Sequence, residues 1–204
     1  MFLTRFAAVT AATVLSGVAI AAIAVNPFQE GAKPTKEHRL VLRGAGQWEG
    51  TLTMNMPEGQ EPMVMKCRET VKPVGQLWTV SEFTSDLMGQ PFAGSSTFGY
   101  DAEAGKFVGT WVDSATTTLT NMVGRYNQAN DSIVMVYKMK DQMTGEMADA
   151  KMVLNATENT STSTFYKVTE EGEELQMTIE MRRVKVVEAA SEAEPAEPST
   201  GEYK

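Results

Sequence analysis

The chain of 204 residues has the length of one domain with extensions, and 42% hydrophobic with 22% charged residues is the composition of a globular protein. A formal net charge of -8 argues against nucleic acid as a partner, because phosphates call for a cationic surface. The single cysteine, Cys67, excludes an internal disulfide framework, so an apolar core must hold the domain together.

Arg5 is followed by an uncharged Ala/Val-rich run from Phe6 to Val25, the n-region and h-region of a secretory signal. Ala22-Ile23-Ala24 presents the small-x-small pattern of a signal-peptidase site, so residues 1–24 read as a cleaved signal. An uncleaved membrane anchor is the competing reading, since about 20 apolar residues span a bilayer. Either way the expected location is periplasmic or extracellular, and a membrane is a partner only if this segment stays attached. No cysteine follows the h-region to carry a lipid. Removal of residues 1–24 takes away Arg5 and moves the formal charge from -8 to -9.

Residues 25–37 turn to Pro, Gly, Lys and Glu and read as a linker. The domain is expected over residues 38–187, and residues 188–204, rich in Glu, Ala, Pro and Ser, read as an acidic disordered tail. His38 to Ala45 can make one helical turn, and no later segment sustains a helical period.

Beyond that turn the dominant signal is alternation. Leu52, Met54 and Met56 share one face of a strand, as do Met63, Met65 and Cys67. Ile133, Met135, Tyr137 and Met139 repeat the pattern, and Leu175, Met177, Ile179 and Met181 oppose Gln176, Thr178, Glu180 and Arg182. Turn chemistry separates such runs at Pro57-Glu58-Gly59, Asp101 to Gly105, Asn127 to Asp131, Thr144-Gly145 and Glu170 to Gly172. About ten short strands result. An antiparallel meander of that size most simply closes into an up-and-down β-barrel, which removes its exposed edges; a β-sandwich is the alternative. The fold class is all-β.

The stretch His38-Arg39-Leu40-Val41-Leu42 through Gly46-Gln47-Trp48 to Gly50 resembles the start of the bacterial DUF1579 family, whose members begin with a His-x-x-Leu helical turn and a Gly-x-Trp strand. Gly89-Gln90-Pro91-Phe92-Ala93-Gly94, Gly99-Tyr100-Asp101 and Phe107 to Asp113, with its Trp111-Val112-Asp113, are similar to that family's middle. The resemblance runs from about His38 to Val184. It implies a closed barrel of the lipocalin or fatty-acid-binding-protein kind with a short N-terminal helical turn, and no catalytic residues to carry over.

Candidate chemistry is sparse. Trp48 after a glycine reads as a plug for a closed barrel end. Trp111 and Asp113 share a strand face, which would set a carboxylate beside an aromatic wall at a cavity mouth; Asp113 also suits a turn cap ahead of Ser114, as does Asp101 after Tyr100. His38, the only histidine, stands at the start of the domain, which disfavours nucleophilic triads and a haem ligand from the late strands. No set of ligands has zinc spacing, so neither cofactor nor metal is expected. Three Asn-x-Ser/Thr triplets, starting at Asn130, Asn155 and Asn159, mark polar turns.

Methionine is abundant, 14 in all, with Met54-Asn55-Met56 and Met63-Val64-Met65 among them. Exported Met-x-Met runs can hold Cu(I) through thioethers, but the same pattern describes one buried strand face. The leading expectation is a non-enzymatic binder of a small apolar or amphipathic ligand inside the barrel. Alternation nominates Met54, Met65, Phe83, Phe92 and Trp111 for the cavity, with Asp113 at its mouth; Met135, Tyr137 and Met177 complete the set. A filled barrel acting as an envelope interaction module is the second expectation, and acid/base catalysis by Asp113 and Glu82 a third.

Overall fold

The computed structural model describes residues 31–141 and 144–185. Two compact units divide the chain, Met1–Lys33 and Pro34–Lys204, and every described helix and strand belongs to the second. The expected signal or anchor over 1–24 and the acidic tail over 188–204 lie outside the described residues, and among the described residues no helix is long and apolar enough to cross a membrane.

Helix α1 spans Lys36–Leu42, starting two residues ahead of the expected domain boundary. Thr35 is its N-cap, and Nδ1 of His38, at the N3 position, accepts from the Thr35 backbone N–H at 2.9 Å. That contact satisfies a donor the helix itself leaves orphaned. The Thr35 hydroxyl donates to Glu37 at 2.7 Å. His38 and Val41 face inward, and the His38 ring meets Tyr100 edge-on at 5.6 Å. The lone histidine is therefore an N-terminal staple of the helix.

Ten antiparallel strands follow: β1 Gly46–Met54, β2 Met63–Val74, β3 Trp78–Leu87, β4 Gln90–Asp101, β5 Lys106–Asp113, β6 Thr120–Asn127, β7 Ser132–Lys140, β8 Met147–Ala156, β9 Thr160–Thr169 and β10 Gly172–Arg183. Each pairs with its chain neighbours, and β1 pairs with β10, so the meander closes as an up-and-down barrel without a free edge. The expected turns at Pro57–Gly59, Asp101–Gly105, Asn127–Asp131 and Thr144–Gly145 all fall between strands. Asp101 accepts from the backbone N–H groups of Glu103 and Ala104, which makes it the turn former its sequence suggests.

One alternation is broken. Between β10 and β9, Leu175 pairs with Tyr166 but Met177 pairs with Phe165, so Gln176 is an extra residue in a β-bulge. The bulge reverses the facing of everything before it. Leu175 therefore points outward and stays 40% exposed, instead of sharing the inner face with Met177, Ile179 and Met181. The bulge also feeds β1: the carbonyls of Leu175 and Gln176 accept from the Asn55 side chain and backbone.

The end of the barrel beside α1 is closed. The Trp48 indole N–H donates to the Gly44 carbonyl at 2.8 Å, and the Arg183 guanidinium lies 4.2 Å over its ring. Arg183 also donates to the carbonyls of Ala45 and Arg43, tying the end of β10 to the stretch that leads into β1. Beside this plug Arg43 pairs with Asp131 at 3.1 Å and reaches the Ala156 carbonyl, and Tyr126 donates to the same carboxylate. Gly50, two residues after Trp48, is where β1 and β10 come closest: a Cβ there would stand 1.9 Å from the Glu180 carbonyl oxygen. The register thus permits only glycine at this position.

Candidate functional site

Two apolar clusters line opposite walls. One gathers Trp48, Leu52, Met65, Cys67, Phe83 and Met181 from β1, β2, β3 and β10; the other gathers Val41, Phe107, Ile133 and Met135 from α1, β5 and β7. They do not meet. A cavity of about 890 Å³ lies between them and runs to the end opposite α1, where Asp113, Ala115, Thr116 and Lys140 line its mouth. Inward residues such as Ile179, Met177 and Phe165 remain only half-buried despite facing the barrel axis, because the space in front of them is empty. Barrel diameter grows with strand number, so ten strands leave room that eight would fill with side chains.

Of the residues expected to line the cavity, Met54, Phe83, Phe92, Trp111, Asp113, Tyr137 and Met177 do so. Met65 and Met135 do not. Met135 is wholly buried because β6 offers it Gly124: a Cβ on that glycine would stand 2.3 Å from the Met135 sulfur, so the side chain folds flat over its neighbour instead of entering the lumen. Met65, paired with Leu52, packs into the first cluster. The methionines spread over both clusters, with Met54 flanked by Met63 and Met177 across three strands near the mouth.

At the mouth Asp113 serves both purposes considered for it. One carboxylate oxygen accepts from the Trp111 indole at 2.9 Å, and the other accepts from the backbone N–H groups of Ala115 and Thr116. The pair thus fixes an aromatic wall and the loop after β5 together. The Trp111 ring lies across Gly94, where a Cβ would meet it at 2.2 Å. Phe83 meets both Phe92 and Trp111 edge-on, at 6.2 Å and 6.1 Å. Glu82 sits on the outer face, 3.6 Å from Lys72, so the barrel wall separates it from Asp113.

The cavity also holds a carboxyl that alternation nominated for nothing. Glu69 on β2 lies beside Trp48 and Phe83 and faces the lumen near the closed end. Burial pushes its carboxyl above the ordinary carboxylate range, opposed only by a hydrogen bond from Ser81. The Ser81 and Ser96 hydroxyls are 2.8 Å apart. Cys67, two residues earlier on the same face, has its thiol pushed up to about 11 by burial and then by Glu69. On the opposite wall burial pushes the Tyr137 phenol up to about 12, leaving it a neutral donor facing the cavity. Among the described residues no group of three or more His, Cys, Asp or Glu side chains is placed to hold a metal ion.

These features define a class: closed ten-stranded antiparallel barrels, plugged at one end by a helix and a tryptophan, with a ligand-sized internal cavity. The chain belongs to the DUF1579 family, described as a protein family of unknown function, whose model matches residues 33–183. Among solved structures it is similar to that of Rv2717c from M. tuberculosis, with a TM-score of 0.54 and 11% identity over 75% of this chain and 100% of that one. At that identity the likeness speaks for the fold alone. The search of curated proteins returned no match.

Proposed function

We propose that this protein is an exported, non-enzymatic binder of a small apolar or amphipathic molecule, held inside the barrel. The observation that carries the reading is the cavity of about 890 Å³ left open between two walls of packed side chains. Its size falls in the range of about 300–1,000 Å³ typical of small-molecule sites. Its exposed wall is mainly apolar, from Leu52 and Phe83 to Phe165 and Ile179, with serine and threonine hydroxyls and a few charged side chains interspersed. Affinity would come mainly from apolar burial at about 25 cal/mol per Å². The apolar run from Phe6 to Val25 supports export.

The test is native mass spectrometry of the protein purified from an exporting host, with fluorescence titration of the emptied protein by dodecanol. Trp111 in the wall reports occupancy directly. The reading expects a stoichiometric apolar adduct, or saturable dodecanol binding with a change in tryptophan emission. A clean apo mass together with no response to dodecanol would sink it and favour an interaction module.

A further inference from the structure

Glu69 is the feature that a purely apolar binder does not need. Its carboxyl is half-buried near the closed end, between Trp48 and Phe83 on the neighbouring strands, and faces the lumen. None of the described ion pairs includes it. A buried carboxylate without a cation is costly, so the group either stays protonated or meets a positive charge from elsewhere. The neighbours supply none. On β2 the same face carries Cys67; β1 presents Trp48; β3 and β4 present the hydroxyls of Thr79, Ser81 and Ser96. Arg183 of β10 is spent on the Trp48 ring and on backbone carbonyls at the plug. Arg43 is held by Asp131, and Lys140 stands at the end of β7 by the mouth.

We propose that the cavity takes an apolar molecule bearing a protonated amine, with the ammonium seated on Glu69 at the closed end and the apolar body lying along the phenylalanine, tryptophan and methionine walls toward the mouth. This rests on the binder reading above and names its ligand class. The chemistry is complementary at both ends. An ammonium offers three donors and no acceptor, which matches a carboxylate, a group that only accepts. The Ser81 and Ser96 hydroxyls, paired with each other, stand on the neighbouring strands and also line the cavity. A fatty acid would bring a second carboxylate against Glu69 with no cation to separate them, so the site selects against anions. Burial favours the protonated form of Glu69, so at a pH where the free site still holds that proton, amine binding drives it out.

The experiment compares three probes with the same twelve-carbon chain, dodecylammonium, dodecanol and dodecanoate, by isothermal titration of the full chain below their micelle concentrations. Dodecylammonium is expected to bind at least about tenfold more tightly than dodecanoate, the discrimination of one charge-assisted hydrogen bond. Its enthalpy should vary with the ionisation heat of the buffer, revealing the released proton. Glu69→Gln should abolish both the preference of the site for the amine over dodecanoate and the buffer dependence. If Glu69→Gln fails to fold, the ranking of the three probes on the natural protein still decides. Equal or tighter binding of dodecanoate, or an amine preference that survives in Glu69→Gln, would overturn the proposal and leave the binder reading standing. Failure of all three probes would overturn the proposal, and together with a clean apo mass it would overturn the binder reading as well.

Discussion

Glu69 carries a stability signature that is independent of any ligand. In the unfolded chain its carboxyl ionises in the ordinary range near pH 4.3 or thereabouts. In the native barrel burial keeps it protonated to higher pH. Over the window between, the native state binds the extra proton, so stability falls as pH rises and stays lower above the native pKa. Glu69→Gln has no proton to lose. Its melting temperature should exceed that of the natural protein at about pH 8, with the gap closing toward roughly pH 4. A gap that is constant with pH would show that the carboxyl ionises no differently when folded. The residue was legible in principle: the inward alternation Met63, Met65, Cys67 continues to Glu69 and Val71 if the strand is run past its apolar stretch. Scoring only apolar residues stops the pattern short of the inward carboxyl of β2. Met135 failed for the opposite reason, since its departure from the lumen depends on Gly124 across the strand pair, which no reading of β7 alone contains.

At the level of elements, strand number, the closing helical turn and the turn positions could all be read from period and turn chemistry, because each is local. The β10 bulge could not. Leu175 and Met177 keep a flawless period of two, and only the pairing with β9 shows that Gln176 is extra and that Leu175 faces solvent. The Trp48 plug joins three parts of the chain in one contact: the turn after α1 through Gly44, β1 through its own backbone, and β10 through Arg183. Trp48→Ala removes the indole that all three share. By the usual cost of deleting a buried large aromatic, urea unfolding should show a loss of about 3–5 kcal/mol with an unchanged m-value. A loss below about 1 kcal/mol would mean that α1 and β10 collapse over the gap and that the plug is dispensable. Gly94→Ala probes the other end. The added methyl must push the Trp111 ring off β4 and into the lumen, so the variant should show altered tryptophan emission and weaker dodecanol binding. Unchanged emission would place the ring's freedom elsewhere.

The whole molecule is a wall closed on itself by the β1–β10 pairing, from Trp48 opposite Arg183 to Met54 opposite Met177, with its two apolar clusters kept apart. A barrel in this state gives up dispersion contacts that a filled one would have, since each half-buried side chain facing the lumen lacks partners on one side. A ligand that restores those contacts binds the native state alone, because the unfolded chain has no cavity. Stabilisation then follows from mass action. At a free concentration of 100 times its Kd a single ligand adds about 2.7 kcal/mol. For a domain of this size each kcal/mol shifts the melting temperature by about 2–4 °C, so saturating dodecylammonium should raise it by roughly 5–10 °C. The shift should grow with the logarithm of ligand concentration and shrink for Glu69→Gln, whose amine affinity is lower. Differential scanning calorimetry over a concentration series measures both. A melting temperature that falls with added dodecylammonium would mean that the probe binds the unfolded chain instead, as a detergent does, and that the lumen is not its site.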